Sequence, residues 1–352
     1  KGNIMYEIST VAPSDEQGRA RVRALLEKEQ IRMDANLDYT CAIFDETTQH
    51  AIATGSCYGN TLRCFAVAHA HQGEGILHAL LTHLMDVQKE RGNDAVFLYT
   101  KGATAPYFQH LGFHEIARVG TEIVFLENKS DGFSSYLENL SKESPETSGT
   151  AAAIVLNANP FTRGHLYLVE YAARECDLLH LFIVSEEMSL FPFAVRERLV
   201  RAGTAHLNNV ICHASGPYIV SQSTFPSYFQ KDEDAVIESH AKLDIAVFTR
   251  IAAALGITRR YVGSEHASRV TRLYNEIMQT ELPKADIECR IIPRREISGA
   301  PISASNVRRA IKDGDLAAIA QLVPETTLAY LKSPESAEVR AKIAAAENVV
   351  HY

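Results

Sequence analysis

Two hydrophobic patterns divide the chain. Up to about residue 140, short apolar and β-branched runs alternate with turn-forming residues: Met5 to Ser9, Tyr39 to Asp45, Ala51 to Ser56, Leu62 to Val67, Val96 to Tyr99 and Ile123 to Leu126. These predict strands, the second to fourth forming an antiparallel meander. Ser14 stands where it can cap a helix through Arg23, Leu25 and Leu26 to Gln30. Leu77, Leu80, Leu81, Leu84 and Val87 recur at helical spacing. A short helix with Tyr107 and Phe108 leads into L-G-F-H-E-I.

From Ala151 strand-like runs continue, the first of them short, apolar and rich in small and β-branched residues, the mark of a strand buried on both faces. They cover Ala151 to Leu156, Leu178 to Val184, Val210 to Cys212, Arg260 to Gly263 and Ile287 to Ile292. Helical patterns alternate with them: Leu166 to Glu175, the segment carrying Arg196 and Arg198, Leu243 to Leu255, Thr271 to Leu282, and one opening at Ser303 or Ser305. That alternation predicts an α/β fold with a doubly wound parallel sheet, Rossmann-like. Such sheets bind ligands at the carboxyl ends of their strands, near Asn157, Ser185, His213, Gly263 and Pro293. A loop rich in Ser, Thr, Pro and aromatics spans Ser215 to Gln230, and three small helices finish the chain. Asn139 to Thr150 is polar and without apolar periodicity, so it reads as the boundary. The expected organisation is a domain over 1–140, a linker over 141–150, a second domain over 151–335 and a C-terminal helix over 336–352.

Composition narrows the classes. At 352 residues the chain can hold two full cores, and its net charge of −8 argues against nucleic acid as a partner. No apolar run approaches the roughly 20 residues of a membrane span, and no signal-peptide pattern opens the chain. Six cysteines without a C-x-x-C pair read as reduced, mostly buried thiols, so a cytoplasmic location is expected.

The chemistry concentrates after the first buried strand, in N-A-N-P-F-T-R-G-H from Asn157 to His165. A tight turn opening a helix aims unpaired N–H groups at whatever lies above the sheet, and phosphate is the usual occupant. Thr162 to His165 resembles the (H/T)-x-G-H motif of the nucleotidylyltransferase superfamily, of HUP type. Ile302, Ser303, Ser305 and Arg308, about 140 residues later, resemble its second motif, I-S-S/T-S/T-x-x-R. The resemblance implies an ATP site formed by Asn157, Asn159, Phe161, Thr162, Gly164, His165, Gly263, Glu265, Ser303, Ser305 and Arg308. Thr162 and His165 would act on the α/β phosphates and Arg308 on the β/γ side, by positioning and electrostatic stabilisation.

In front, Q-G-E-G-I-L and Y-F-Q-H-L-G-F-H-E-I resemble the GNAT acetyltransferase family, whose Gly-rich loop binds the pyrophosphate of coenzyme A. Gln72, Gly73 and Gly75 match that loop, with Leu77 where a small residue is expected. His69, His71, Glu74 and Tyr107 could do acid–base work, or be ordinary loop and core residues.

N-A-N-P-F-T-R-G-H, R-Y-V-G-S-E-H-A-S-R-V-T-x-x-Y-N-x-x-M and I-S-A-S-N-V-R-R together resemble the citrate lyase ligase family, which also carries a GNAT-like α+β domain in front. The resemblance implies ATP-dependent acetylation of the prosthetic-group thiol on the citrate lyase acyl carrier subunit. Acetate and ATP would form acetyl-adenylate, with AMP and diphosphate released. Ser264, Glu265 and His266 replace an expected Glu-Glu-Pro-like loop, while Thr271, Tyr274 and Asn275 are kept. Asp244 could meet Mg²⁺ or ribose, and Lys231 and Arg196 could meet phosphate. Two other readings stay open: an adenylyltransferase acting on nicotinamide mononucleotide or phosphopantetheine, and a front domain that only recognises the carrier, its Gln72–Gly75 loop holding the pantetheine arm.

Overall fold

The computed structural model describes residues 6–185, 189–219, 233–264, 268–297 and 299–349. Met5, Lys231, Glu265 and His266, and residues 220–230 of the Ser/Thr/Pro loop, lie outside them. The chain forms two compact units: Lys1–Ser135 with Phe225–Ala246, and Tyr136–Thr224 with Val247–Tyr352.

The first unit runs β1 (Ser9–Thr10), α1 (Glu16–Lys28), β2 (Tyr39–Phe44), β3 (Ala51–Tyr58), β4 (Thr61–Val67), α2 (Ile76–Glu90), β5 (Phe97–Thr100), α3 (Ala105–His110), β6 (His114–Val119) and β7 (Ile123–Glu127). Its sheet order is β1-β2-β3-β4-β5-β7-β6. Its neighbours pair antiparallel except β4 and β5, which are parallel at Thr61↔Phe97 and Leu62↔Leu98. Side chains alternate along each strand, so β2 serves two cores. Cys41 and Ile43 pack with Leu80, Leu81 and Leu84 of α2, while Ala42 packs with Val22, Leu25 and Leu26 of α1. Helices on the two faces of this largely antiparallel sheet make the unit an α+β domain.

Several details correct the sequence reading. Asp15, rather than Ser14, caps α1: its carboxylate accepts the Gly18 N–H at 2.9 Å, and its negative charge suits a helix N-terminus. Strand β6 went unpredicted because a register shift between Glu115 and Ala117 interrupts its alternation. The expected boundary begins inside a helix, α4 (Gly132–Glu143). Phe133, Tyr136, Leu137 and Leu140 sit at i, i+3, i+4 and i+7, a helical stripe that starts before the polar stretch.

After α4 the chain continues through β8 (Ala151–Leu156), α5 (Arg163–Arg174), β9 (Leu178–Ile183), α6 (Phe193–Thr204), β10 (Val210–Ala214), α7 (Glu233–Leu255), β11 (Ile257–Gly263), α8 (Arg269–Glu281) and β12 (Glu288–Ile292), all in the second unit except α7 up to Ala246. Four C-terminal helices follow: α9 (Ala304–Asp313), α10 (Leu316–Leu322), α11 (Glu325–Lys332) and α12 (Ala337–Ala345). The sheet is parallel throughout, in the order β10-β9-β8-β11-β12. Strand order therefore reverses between β8 and β11, which places the binding crevice of a doubly wound sheet above their carboxyl ends. Ile154, Leu156, Leu181 and Ile183 form the core with Leu168 and Val169 of α5, and Val307, Ile319, Leu331 and Ile343 of the last helices join it. Among the described residues no helix is long and apolar enough to cross a membrane.

Candidate active site

The site grows from the end of β8. Asn157 and Ala158 leave the strand, Ala158 with φ of 50°, and Asn159–Pro160 is a cis peptide. Arg196 of α6 fixes this exit. Its Nη1 donates to the Asn157 carbonyl at 2.8 Å, to Asn157 Oδ1 at 2.9 Å and to the Val184 carbonyl at 2.7 Å, while Nε donates to the Phe191 carbonyl at 3.0 Å. Arg196 is fully buried, so it braces the ends of β8 and β9 and does not reach phosphate as the sequence suggested. Asn159 Oδ1 accepts the Phe191 N–H at 3.1 Å, pinning the next residue of the turn.

Phe161 also changes role. Its ring is 0% exposed, and a Cβ on Gly203 would come within 2.5 Å of it. It stacks on His165 at 5.9 Å between ring centroids and supports that imidazole from the core side, without surface of its own to offer a nucleotide.

Thr162 and His165 lock each other. Thr162 caps α5 by accepting the His165 N–H on its hydroxyl at 3.2 Å, and the Thr162 N–H donates back to His165 Nδ1 at 3.1 Å. An Nδ1 that accepts an N–H carries no proton, so the neutral ring holds its hydrogen on Nε2. Part of the residue's surface stays open, yet protein surrounds the ring closely. Burial first, and the Arg294 charge second, lower its pKa from 6.5 to about 4. At neutral pH His165 is an uncharged hydrogen-bond donor.

The two distant motifs meet. A Cβ on Gly164 would lie 3.0 Å from the Ile302 carbonyl oxygen, so a larger residue would press the start of α5 against the second turn. Ile302 is held by its N–H donating to the Arg295 carbonyl at 3.0 Å. Ser303 caps α9, settling where that helix opens, and accepts the Asn306 N–H at 3.1 Å. Arg308 then reaches back: Nη1 donates to the Asn159 carbonyl at 2.5 Å, Nη2 to Ser305 Oγ at 3.3 Å and Nε to the Val349 carbonyl at 2.6 Å. One turn on, Lys312 Nζ donates to the Ala346 carbonyl at 2.5 Å. Arg308 is 2% exposed, and burial lowers its pKa to about 10, which leaves it charged at neutral pH.

Gly263 ends β11, its carbonyl accepting Asn275 Nδ2 at 3.0 Å. Ser264 bridges to the neighbouring strand: its N–H donates to the Ile292 carbonyl at 2.8 Å, and its hydroxyl accepts the Arg294 N–H at 3.1 Å. Arg294 Nε lies 4.0 Å from the Cβ position of Gly263.

The other expected site residues belong to the first unit or fall outside the described residues. Gln72, Gly73 and Gly75 belong to the first unit, where Gly73 (φ 85°) and Gly75 (φ 79°) form the turn that opens α2. Glu74 between them accepts the Tyr6 hydroxyl at 2.5 Å and pairs with His71 Nδ1 at 3.1 Å, and both partners hold its carboxyl below the usual range. Asp244, 2% exposed, falls in the segment of α7 assigned to the first unit, and Glu265 lies outside the described residues. Among the described residues no three His, Cys, Asp or Glu side chains cluster as a metal site.

Two helix N-termini, a neutral imidazole, hydroxyls and buried guanidinium charge thus converge at the strand-order switch, an arrangement suited to a polyphosphate. Residues 151–331 match the family model described as the citrate lyase ligase C-terminal domain. The chain is 37% identical to the citrate (pro-3S)-lyase ligase of Klebsiella pneumoniae, over 90% of this chain and 93% of that one. It is 38% identical to the same-named protein of Escherichia coli K12, over 85% of this chain and 87% of that one. A solved structure of Thermotoga maritima TmcAL bound with alpha-thio ATP is 14% identical, covering 52% of this chain and 55% of that one with a TM-score of 0.35.

Proposed function

The chain belongs to the citrate lyase ligase family, and from that premise we propose that it activates citrate lyase by ATP-dependent acetylation of the thiol on the lyase's acyl carrier subunit. In the first half-reaction an acetate oxygen attacks the α-phosphorus of ATP, giving acetyl-adenylate and diphosphate. In the second, the carrier's thiolate attacks the acyl carbon, the thioester forms and AMP leaves. The observation that carries this reading is the meeting of Gly164 with Ile302 and of Asn159 with Arg308, which joins both phosphate-binding turns into one site.

Each residue then has a defined task. Thr162, Gly164 and His165 give backbone N–H groups, a hydroxyl and the Nε2–H to the α/β phosphates, and the neutral imidazole donates without taking a proton. Ser303 and Ser305 serve the β/γ side, with Gly263 bordering the crevice. Arg308 holds the two turns together and lends them its charge. A carboxylic acid is ionised at pH 7, so acetate needs no general base. No covalent enzyme intermediate is required either, and burial pushes the Cys41 and Cys64 thiols up to about 12, far from a reactive thiolate. Magnesium would arrive with the ATP phosphates, the usual way this ion is held in nucleotide sites. The reaction suits the cytoplasm, where a carrier thiol stays reduced.

The first unit would receive the carrier, with Gln72, Gly73 and Gly75 beside its pantetheine-type arm. The test is to mix the enzyme with labelled ATP, acetate and deacetylated citrate lyase. Acetate-dependent AMP release with reactivated lyase is expected. A stable dinucleotide formed from nicotinamide mononucleotide or phosphopantetheine without acetate would overturn the reading in favour of an adenylyltransferase.

A further inference from the structure

We propose that Asn157 and Ser189 bind the carboxylate of the acid that is adenylated, at the end of β8 on the side toward β9. The inference rests on the adenylation reading and gives its nucleophile a place, which neither motif supplies. Asn157, which the motif resemblance gave to ATP, takes the acid instead.

Displacement at phosphorus decides where that place lies. The attacking and leaving oxygens stand roughly in line, on opposite sides of the phosphorus. The second turn comes in from the β12 side of the crevice, where the Ile302 N–H donates to the Arg295 carbonyl at 3.0 Å, just past the end of β12. Ser303 and Ser305, on the β/γ side, therefore draw the departing diphosphate toward β11 and β12. The first turn, with Thr162 and His165, follows β8 in the middle of the sheet. The nucleophile then arrives from the remaining side, toward β9. Asn157, the first residue after β8, and Ser189, in the connection from β9 to α6, stand there.

Their hydrogen bonds suit an anion. Both residues are half-buried. Asn157 Nδ2 donates to Ser189 Oγ at 3.3 Å, and the same hydroxyl lies 3.3 Å from Asn157 Oδ1. Arg196 settles which way the amide faces. Its Nη1 donates to Oδ1 at 2.9 Å, and a guanidinium can only donate, so the oxygen is the atom held there. A carboxamide nitrogen carries two hydrogens, and among the described residues Ser189 takes one of them and no other residue takes the second. A hydroxyl that accepts from Nδ2 keeps its own hydrogen to give.

Two donors 3.3 Å apart can share one carboxylate oxygen and leave the other to attack. Both are neutral, so the carboxylate keeps its charge, while the buried Arg196 charge behind the amide favours an anion in front of it. Two residues on, Asn159 is 3% exposed and its Nδ2 is buried without a partner among the described residues. The turn thus carries more donors than the chain satisfies. An unmet buried donor is costly, and it points to an acceptor from outside the chain.

The experiment uses the full chain with Ser189→Ala and Asn157→Ala, and follows acetate-dependent ATP–diphosphate exchange with acetate and ATP varied in turn. Loss of one donor should raise the KM for acetate about tenfold in each variant. The KM for ATP should stay within threefold. That split separates binding of the acid from a general disturbance of the turn, which would raise both. Ser189→Ala removes a single half-buried hydroxyl, so it decides the case if Asn157→Ala fails to fold. An acetate KM within threefold of the wild type in Ser189→Ala overturns the proposal. So does an ATP KM that rises as much as the acetate KM, which would give the pair to the nucleotide. If the wild type shows no exchange, the adenylation reading fails, and the NMR line of the acetate carboxyl carbon decides for the pair. It should broaden with the wild type and less so with Ser189→Ala. Equal broadening, or none with the wild type, overturns the assignment.

Discussion

Gly164 and Ile302 stand so close that a Cβ on the glycine would lie 3.0 Å from the isoleucine's carbonyl oxygen and 3.4 Å from its Cβ. The contact joins the start of α5 to the residue before the Ser303 cap, and the obstacle is backbone, which cannot swing aside. Gly164→Val should therefore push the two turns apart. We expect a loss of about 1–3 kcal/mol in a urea melt, the usual cost of overpacking. Acetate-dependent exchange should drop more than tenfold. A variant of wild-type activity would show that the spacing of the two turns does not matter.

Arg308→Met tests the other bridge. It removes donors to the Asn159 and Val349 carbonyls and leaves those acceptors in a buried setting. A hydrogen bond to a charged group contributes roughly 1.5–3 kcal/mol, so the urea midpoint should fall markedly. Exchange should vanish with it. Arg308→Lys keeps the charge without the fork and should restore stability only in part.

Acid should unfold the second unit through its histidines. His165, His180 and His213 each titrate near 6.5 when unfolded and near 4 in the fold, in each case first because of burial. Between those values the unfolded chain binds more protons, so the stabilisation is complete above pH 6.5 and is lost as pH falls toward 4. His180 Nδ1 and His213 Nε2 lie 3.0 Å apart on neighbouring strands and share a single hydrogen, which leaves no room for a second. Urea midpoints should decline from pH 7 to pH 5, and His180→Gln should make the decline shallower. An unchanged pH slope in that variant would remove this pair from the account.

The first unit has its own test. Gly75 has φ of 79°, where any other residue is strained. Gly75→Val should raise the carrier's KM while sparing acetate-dependent exchange. Unchanged carrier kinetics would reject the arm-binding role of this loop.

Much of the fold was legible because its rules are local. Buried parallel strands read as continuous apolar runs, and caps such as Ser303 announce a helix within four residues. What escaped depended on distance. Arg308 meets Asn159 and Val349, partners 149 and 41 positions away, and nothing in its immediate sequence says so. Phe161 lies in the turn itself and Arg196 in the first turns of α6. Chain position does not tell which way a side chain points, and both turn inward. Helix α4 was hidden by its polar second half, although Leu140 completes the stripe begun at Phe133.

Arg308 has one more consequence. Its guanidinium holds Asn159 with one nitrogen and Val349 with another, so the chain from the first turn onward is fastened back to where it began. This is a loop closed by a side chain instead of a disulfide, and opening it restores conformational freedom to both ends. Here, loosening of residues 346–349 would be transmitted to the geometry of the turn at Asn159.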